Sequence, residues 1–249
     1  MFARISVPAV LLISALVTPA LAQRAPLPFR GTIEFGGDYR GAPPTIRATS
    51  SPTINAEPAT LSTSHKVAAA PGVRAGVSWQ VWKQLAAGVT ISRSSSSVDG
   101  SVTATVAHPF SFNRPRHTES AISGLSRKDL LIAAQVRGRF PVSRRVVASV
   151  FAGPVWASVT QSVITSIDYS ESYPYDSIEF RSAQTARAAK KTMTFGGGAD
   201  LAYFFMNRVG VGAGIAYAGG RIELPAIGGR TVKTNVGGVD ANVGVRVRF

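Results

Sequence analysis

From Arg30 to the C-terminus, apolar and polar residues alternate with a period of two, in runs of about ten residues, and helical spacing is absent from these runs. Eight runs can be drawn, and each predicts a β-strand. The first, residues 30–40, sets Ile33, Phe35 and Tyr39 against Thr32, Glu34, Asp38 and Arg40. The second, 73–82, sets Val73, Ala75, Val77, Trp79 and Val81 against Arg74, Ser78 and Gln80; the third, 85–94, carries Leu85, Ala87, Val89 and Ile91 on one face. The fourth, 129–140, sets Leu130, Ile132, Ala134, Val136 and Phe140 against Gln135, Arg137 and Arg139. In the fifth, 146–161, both faces of "VVASVFAGPVWA" are apolar and the phase is undecided; Pro154 cannot donate to a ladder, and a bulge there would reconcile the pattern. The sixth, 192–205, sets Met193, Phe195, Ala199, Leu201, Tyr203 and Phe205 against Thr192, Thr194 and Asp200. The seventh, from Val209, faces Val211, Ala213, Ile215 and Tyr217 against little but glycine. The eighth, "TNVGGVDANVGVRVRF", sets Val239, Ala241, Val243, Val245, Val247 and Phe249 against Asp240, Asn242, Arg246 and Arg248.

Connection lengths alternate between short and long. Two to five residues follow the second, fourth and sixth runs, whereas about 30, 30, 30 and 10 follow the first, third, fifth and seventh. This is the expected order of an antiparallel up-and-down sheet with one trimmed end and one elaborated end, as loops. Alternation alone does not say which face is wet. The polar face carries charges of both signs. Trp82, Phe140, Phe205 and Phe249 fall at the short-turn ends, while Tyr39, Phe195 and Tyr217 fall towards the long-link ends, as two interfacial belts would. Closing the sheet pairs every backbone group, which hydrocarbon demands, so the reading is all-β: an eight-stranded antiparallel transmembrane β-barrel with its apolar face outward.

In that pattern, and in "VGVRVRF" most specifically, the chain resembles the small Gram-negative outer-membrane β-barrels of the OmpA and OmpX type. The resemblance implies that Phe249 with Val247, Val245 and Val243 forms a C-terminal signal for the outer-membrane assembly machinery. It also implies a structural or surface-interaction role through the long loops, without catalysis. A narrow pore and a lipid A-modifying enzyme are the alternatives, and a soluble barrel is the competing fold. Unlike the longer OmpA architecture, no soluble domain follows the last strand in this sequence.

The N-terminus agrees with export. "MFARISVPAVLLISALVTPALAQ" has Arg4, an apolar run and an A-x-A site at residues 20–22, so residues 1–22 read as a cleaved signal peptide and 23–249 as the barrel domain. Pro8 and Pro19 bracket a run too short for a spanning helix. There are no cysteines, which removes disulfides, thiolate nucleophiles and cysteine zinc sites. The net charge of +14 would suit nucleic acid, but an exported chain without a basic helix or RNA-binding motif points to anionic lipid instead.

Three groups of residues are candidates for chemistry. Glu34, Asp38, Arg74, Arg137, Arg139, Asp200, Asp240, Arg246 and Arg248 would meet inside a barrel of eight strands, whose interior its own side chains fill, as a salt-bridged core. Arg40, Arg93, Lys128, Lys190, Lys191, Arg221 and Lys233, with Arg74, lie near the long-link ends and form an expected basic rim for the phosphates of outer-membrane lipid and lipopolysaccharide. The loop "SIDYSESYPYDSIEF" interleaves Tyr169, Tyr173 and Tyr175 with Asp168, Glu171, Asp176 and Glu179, and suits recognition of a surface partner. Its spacing matches no calcium loop, and neither metal nor cofactor is expected. His65, His108 and His117 fall in links, and no nucleophile elbow accompanies them.

Overall fold

The computed structural model describes residues 29–249, so the expected signal segment lies outside the described residues. In chain order the strands are β1 (Gly31–Arg40), β2 (Ile46–Ser50), β3 (Thr53–Ile54), β4 (Glu57–Pro58), β5 (Thr60–Val67) and β6 (Ala70–Trp82). They continue with β7 (Leu85–Ala107), β8 (Pro115–Pro141), β9 (Val146–Glu171), β10 (Ile178–Tyr203), β11 (Val209–Pro225) and β12 (Thr231–Arg248). Antiparallel pairing runs β1, β6, β7, β8, β9, β10, β11, β12 and back to β1, which closes an eight-stranded barrel. The ring is sealed by β1 against β12 from Thr32↔Arg248 to Arg40↔Asp240. Tight turns join β6 to β7, β8 to β9 and β10 to β11; in the first, Lys83 takes φ 44°.

The face left open by the pattern is settled by exposure. Phe35, Val73, Val77, Trp79, Ile91, Val136, Trp156, Phe195, Ile215 and Val243 all lie exposed on the outside, whereas the alternate positions are buried. Such a continuous apolar exterior is far larger than the patches soluble proteins show, and it requires lipid around it. Phe249 packs at the turn end beside Trp79, with ring centroids 5.6 Å apart.

The expected 30-residue loops are in fact hairpins. β7 to β10 are 23 to 27 residues long, against about 9–11 needed to cross hydrocarbon. The excess of roughly 15 residues, at about 3.3 Å each, carries the sheet some 50 Å of strand length beyond the apolar belt. The links kept their alternation: Val98, Val102, Ala104 and Val106 of β7 are buried, and with Leu125, Ile164 and Ile167 they give the extension a core of its own. The β2–β5 hairpin adds to it by pairing Thr60–Val67 with Val98–Thr105, and Ile227, in the turn between β11 and β12, inserts from the other side. Serine and threonine dilute the apolar signal in these stretches, which is why they read as loops.

Register through the fifth run corrects a second expectation. Ala133↔Val155 and Val136↔Ala152 share one register, so there is no bulge at Pro154; the ladder to β8 merely lacks the rungs at Gly153 and Pro154. Inward and outward positions alternate through the proline. Phe151, Val155, Ala157 and Val159 point in, and Val150 and Trp156 point out. Both faces are apolar because this strand walls an apolar cluster inside the barrel, with Leu131, Ile222, Leu224 and Val236.

Among the described residues, the extension leaves edges open. β2 pairs with β5 alone and residues 220–225 of β11 with β12 alone, and β10 pairs with β11 only from Phe195 to Tyr203, so its residues 178–194 pair with β9 alone. Arg181, Arg187, Lys190 and Lys191 are exposed along this stretch of β10, and charges of this kind blunt edge-to-edge pairing.

Candidate functional site

Alternation turns every second residue of a barrel strand inward, and closure brings distant strands within reach of one another. Glu34, Asp38, Arg74, Arg137, Arg139, Asp200, Asp240, Arg246 and Arg248 all lie buried inside. Glu34 on β1 is the hub. Its carboxylate receives Arg74 at 3.4 Å, Arg137 at 3.3 Å and Arg246 at 3.6 Å, and Arg137 also donates to Asp200 at 2.9 Å. Phe151 lies under two of these guanidiniums, with the Cζ of Arg137 4.9 Å and that of Arg74 5.8 Å from its ring centre.

A second cluster lies nearer the extension. Arg40 donates to Asp240 at 2.7 Å, to Asp129 at 3.3 Å and to the hydroxyls of Ser94 and Ser92, and Arg127 donates to Asp129 at 2.9 Å. Asp38 accepts from Ser92 at 3.0 Å. The rim expected for Arg40 is therefore wrong: it is 3% exposed, because β7 and β8 continue past the end of β1 and enclose it. Arg74, also placed at the rim, is inside on Glu34. Arg127 and Asp129 join this cluster without standing out in the sequence, although the inward parity of Gln135, Ala133 and Leu131 carries straight on to both.

The remaining basic residues lie outside. Arg93, Lys128, Lys190, Lys191, Arg221 and Lys233 are exposed, and Lys233 lies 3.7 Å from Glu223. Arg93 pairs in register with Leu130, Lys128 with Ser95 and Lys191 with Ser158, two to four residues above the exposed Ile91, Ile132, Trp156 and Met193.

At the far end, the tips of three hairpins fuse into one apex. Asn55 donates to the Ala107 carbonyl at 3.0 Å, and the Asn113 N–H donates to Glu57 at 2.8 Å. Arg116 reaches Glu171 at 2.7 Å and the Tyr175 carbonyl at 3.1 Å, while Arg114 lies 3.1 Å from Asp176. These ties hold an aromatic group in place. Phe110 packs edge-on against Tyr175 at 5.4 Å, and Tyr173 against Tyr175 at 6.2 Å, yet Phe110, Phe112 and Tyr173 stay 78%, 76% and 87% exposed. Tyr169 is not in the loop but on β9, opposite Phe180, where partial burial and then Glu171 hold its phenol above the ordinary range. Phe110 and Phe112 went unnoticed because they are distant in sequence from the tyrosines.

The three histidines have separate partners. His117 Nδ1 meets the Thr105 hydroxyl at 2.8 Å, and His108 accepts from the Phe110 N–H and lies 3.9 Å from Asp176. His65 is 4% exposed within the extension, accepts the Ile164 N–H at 3.4 Å, and has its pKa lowered from 6.5 by burial. A histidine with a depressed folded pKa leaves stability intact above the unfolded value and subtracts from it as pH falls through that value, because the unfolded chain takes up the proton first. Lowering the pH from about 7.5 to 5 should therefore lower the amide protection factors along β5, taken relative to the intrinsic exchange rate at each pH, and His65→Gln should flatten that pH dependence. Equal pH dependence in both proteins would exclude His65 as its cause.

No family model matches the chain, and no curated protein does. Among solved structures it is similar to the outer membrane protein OprG from Pseudomonas aeruginosa, with a TM-score of 0.56 and 8% identity over 89% of this chain and 96% of that one. Neisserial surface protein A follows with a TM-score of 0.47 and 12% identity over 88% and 97% of the respective chains. The closed ring of eight antiparallel strands, the apolar exterior and the likeness to OprG together show that this chain has the fold of an outer-membrane β-barrel.

Proposed function

We propose that the protein is a non-enzymatic integral protein of a Gram-negative outer membrane, which contacts a partner outside the cell through the apex of its extension. The observation that carries this reading is the exposed aromatic group of Phe110, Phe112 and Tyr173 on a tip held by ion pairs and hydrogen bonds. Exposed aromatics on a rigid support lose little entropy when they are covered, which is what an interaction surface needs. Tyr175, tied into the same tip, supports the ring beside it.

The collar of Arg93, Lys128 and Lys191, directly above the apolar belt, is placed to pair with phosphates of outer-leaflet lipid or lipopolysaccharide. The outward row of Val243, Val245, Val247 and Phe249 suits the assembly machinery. Against the pore reading stand the ion pairs that cross the interior, Glu34 with Arg137 and Arg246, and Asp200 with Arg137. Against a lipid A-modifying enzyme stands the hydrogen bonding of the histidines, which among the described residues goes to Thr105 and to the backbone N–H groups of Phe110 and Ile164 and not to a serine hydroxyl.

The absence of native cysteine gives a clean test. A Tyr173→Cys chain in intact cells should react with a membrane-impermeant maleimide, and Lys83→Cys should react only after the outer membrane is opened. Removing Phe249 from the Tyr173→Cys chain should sharply lower the surface labelling. Labelling of Lys83→Cys in intact cells, or none of Tyr173→Cys, would reject this orientation.

A further inference from the structure

The interior of the barrel does not balance its own charge. Five buried carboxylates face seven buried guanidiniums, leaving aside Arg116, which pairs with Glu171 in the extension. Five of those arginines have a carboxylate in ion-pair contact: Arg40, Arg74, Arg127, Arg137 and Arg246. Among the described residues Arg139 and Arg248 have none, and residues 1–28 contain no Asp or Glu that could supply one. Asp38, the carboxylate left over, lies beside Ser92 on the Arg40 side of the interior.

The two unmatched arginines are neighbours. Both line one cavity at the short-turn end, with Thr32, Ser149, Phe29 and Phe204, and share it with Arg137, Arg246 and Asp200, whose carboxylate is already held by Arg137 at 2.9 Å. Arg139 is 5% exposed and its donors go only to Ser78, through the hydroxyl at 2.6 Å and the carbonyl at 3.5 Å. Arg248 is 8% exposed; its Cζ lies 3.1 Å above the centre of the Phe204 ring, with Phe29 5.8 Å away. Stacking occupies the face of the guanidinium and leaves its in-plane donors aimed into the cavity, and Nε of Arg248 has no acceptor. Two buried like charges side by side are costly unless an anion joins them.

We propose that the short-turn end of the barrel binds a free oxyanion of phosphate or sulfate type between Arg139 and Arg248. A dianion matches the excess of two charges, and planar guanidinium forks match tetrahedral oxyanion edges. The Thr32 and Ser149 hydroxyls add donors of the right kind at the wall. Because both arginines point into the barrel, a lipid headgroup is the wrong source.

The test uses the full-length protein folded in phosphate-free maltoside micelles, with the heat-unfolding midpoint read by gel mobility at constant ionic strength. Inorganic phosphate and sulfate should raise the midpoint saturably, and chloride should do so far less. Arg139→Lys and Arg248→Lys keep the charge but lose the fork, and each should raise the half-saturating phosphate concentration about tenfold. Arg139→Gln with Arg248→Gln should abolish the response, and an Arg93→Gln, Lys128→Gln protein should keep it. If the double glutamine variant does not fold, the two lysine variants decide. An unmoved midpoint in the natural protein, a response unchanged in the lysine variants, or one lost only with Arg93 and Lys128 would overturn the site.

Discussion

Glu34→Gln is expected to destabilise the barrel by about 3–5 kcal/mol, the range seen when one partner of a buried ion network is removed. The substitution keeps shape and volume and removes only the charge. Glu34 is 4% exposed, accepts from Arg74 and Arg137 and forms an ion pair with Arg246 at 3.6 Å, and the three come from three different strands. Its neutral amide would leave those three guanidiniums with Asp200 as the carboxylate in contact, and that contact belongs to Arg137. The measurement is the urea midpoint of protein refolded into lipid vesicles, read with the slope to confirm that the folded ensemble is unchanged. Adding Arg246→Met to Glu34→Gln should recover part of the loss, since it withdraws one stranded charge. A loss under about 1 kcal/mol would mean that the interior is wet enough to screen the network.

The second large effect is expected at Arg40. Arg40→Met should also cost about 3–5 kcal/mol, because it strands Asp240 and weakens the hold on Asp129, whereas Lys191→Met on the outer collar should stay within about 0.5 kcal/mol. The contrast is diagnostic because both residues are basic and both fall near the long-link ends of their runs. Arg40 donates to four side-chain oxygens, on Asp240, Asp129, Ser92 and Ser94. Asp240→Asn in the Arg40→Met background should restore some stability, and it should do nothing of the kind beside Lys191→Met. If Arg40→Met cost no more than Lys191→Met, Arg40 would have to lie at the rim after all.

Arg40 also shows how far local pattern reaches. Its parity is that of Glu34 and Asp38, which is inward, but its place at the end of the first run suggested a rim. Parity was the better guide. Height was not legible, because the neighbouring strands β7 and β8 run on past Arg40, and only their pairing with Thr105, His117 and beyond reveals it. The apex is similar. Tyr173 and Tyr175 were visible as an aromatic run, but Phe110 joins them only because two hairpin tips meet, as the contact of Arg114 with Asp176 records.

By itself the sequence determined the eight strands of the barrel wall, the two alternating faces of seven of the eight runs, the alternation of short turns with long links, and nine of the residues that line the polar core. A period of two follows from the pleat of each strand, so it needs no knowledge of any neighbour. Tertiary structure alone decided that the fifth run keeps its phase through Pro154, that the links rise as paired hairpins, and that two arginines at the turn end lack carboxylate partners. Each of these depends on register between strands far apart in the chain, and register is set when the ring closes.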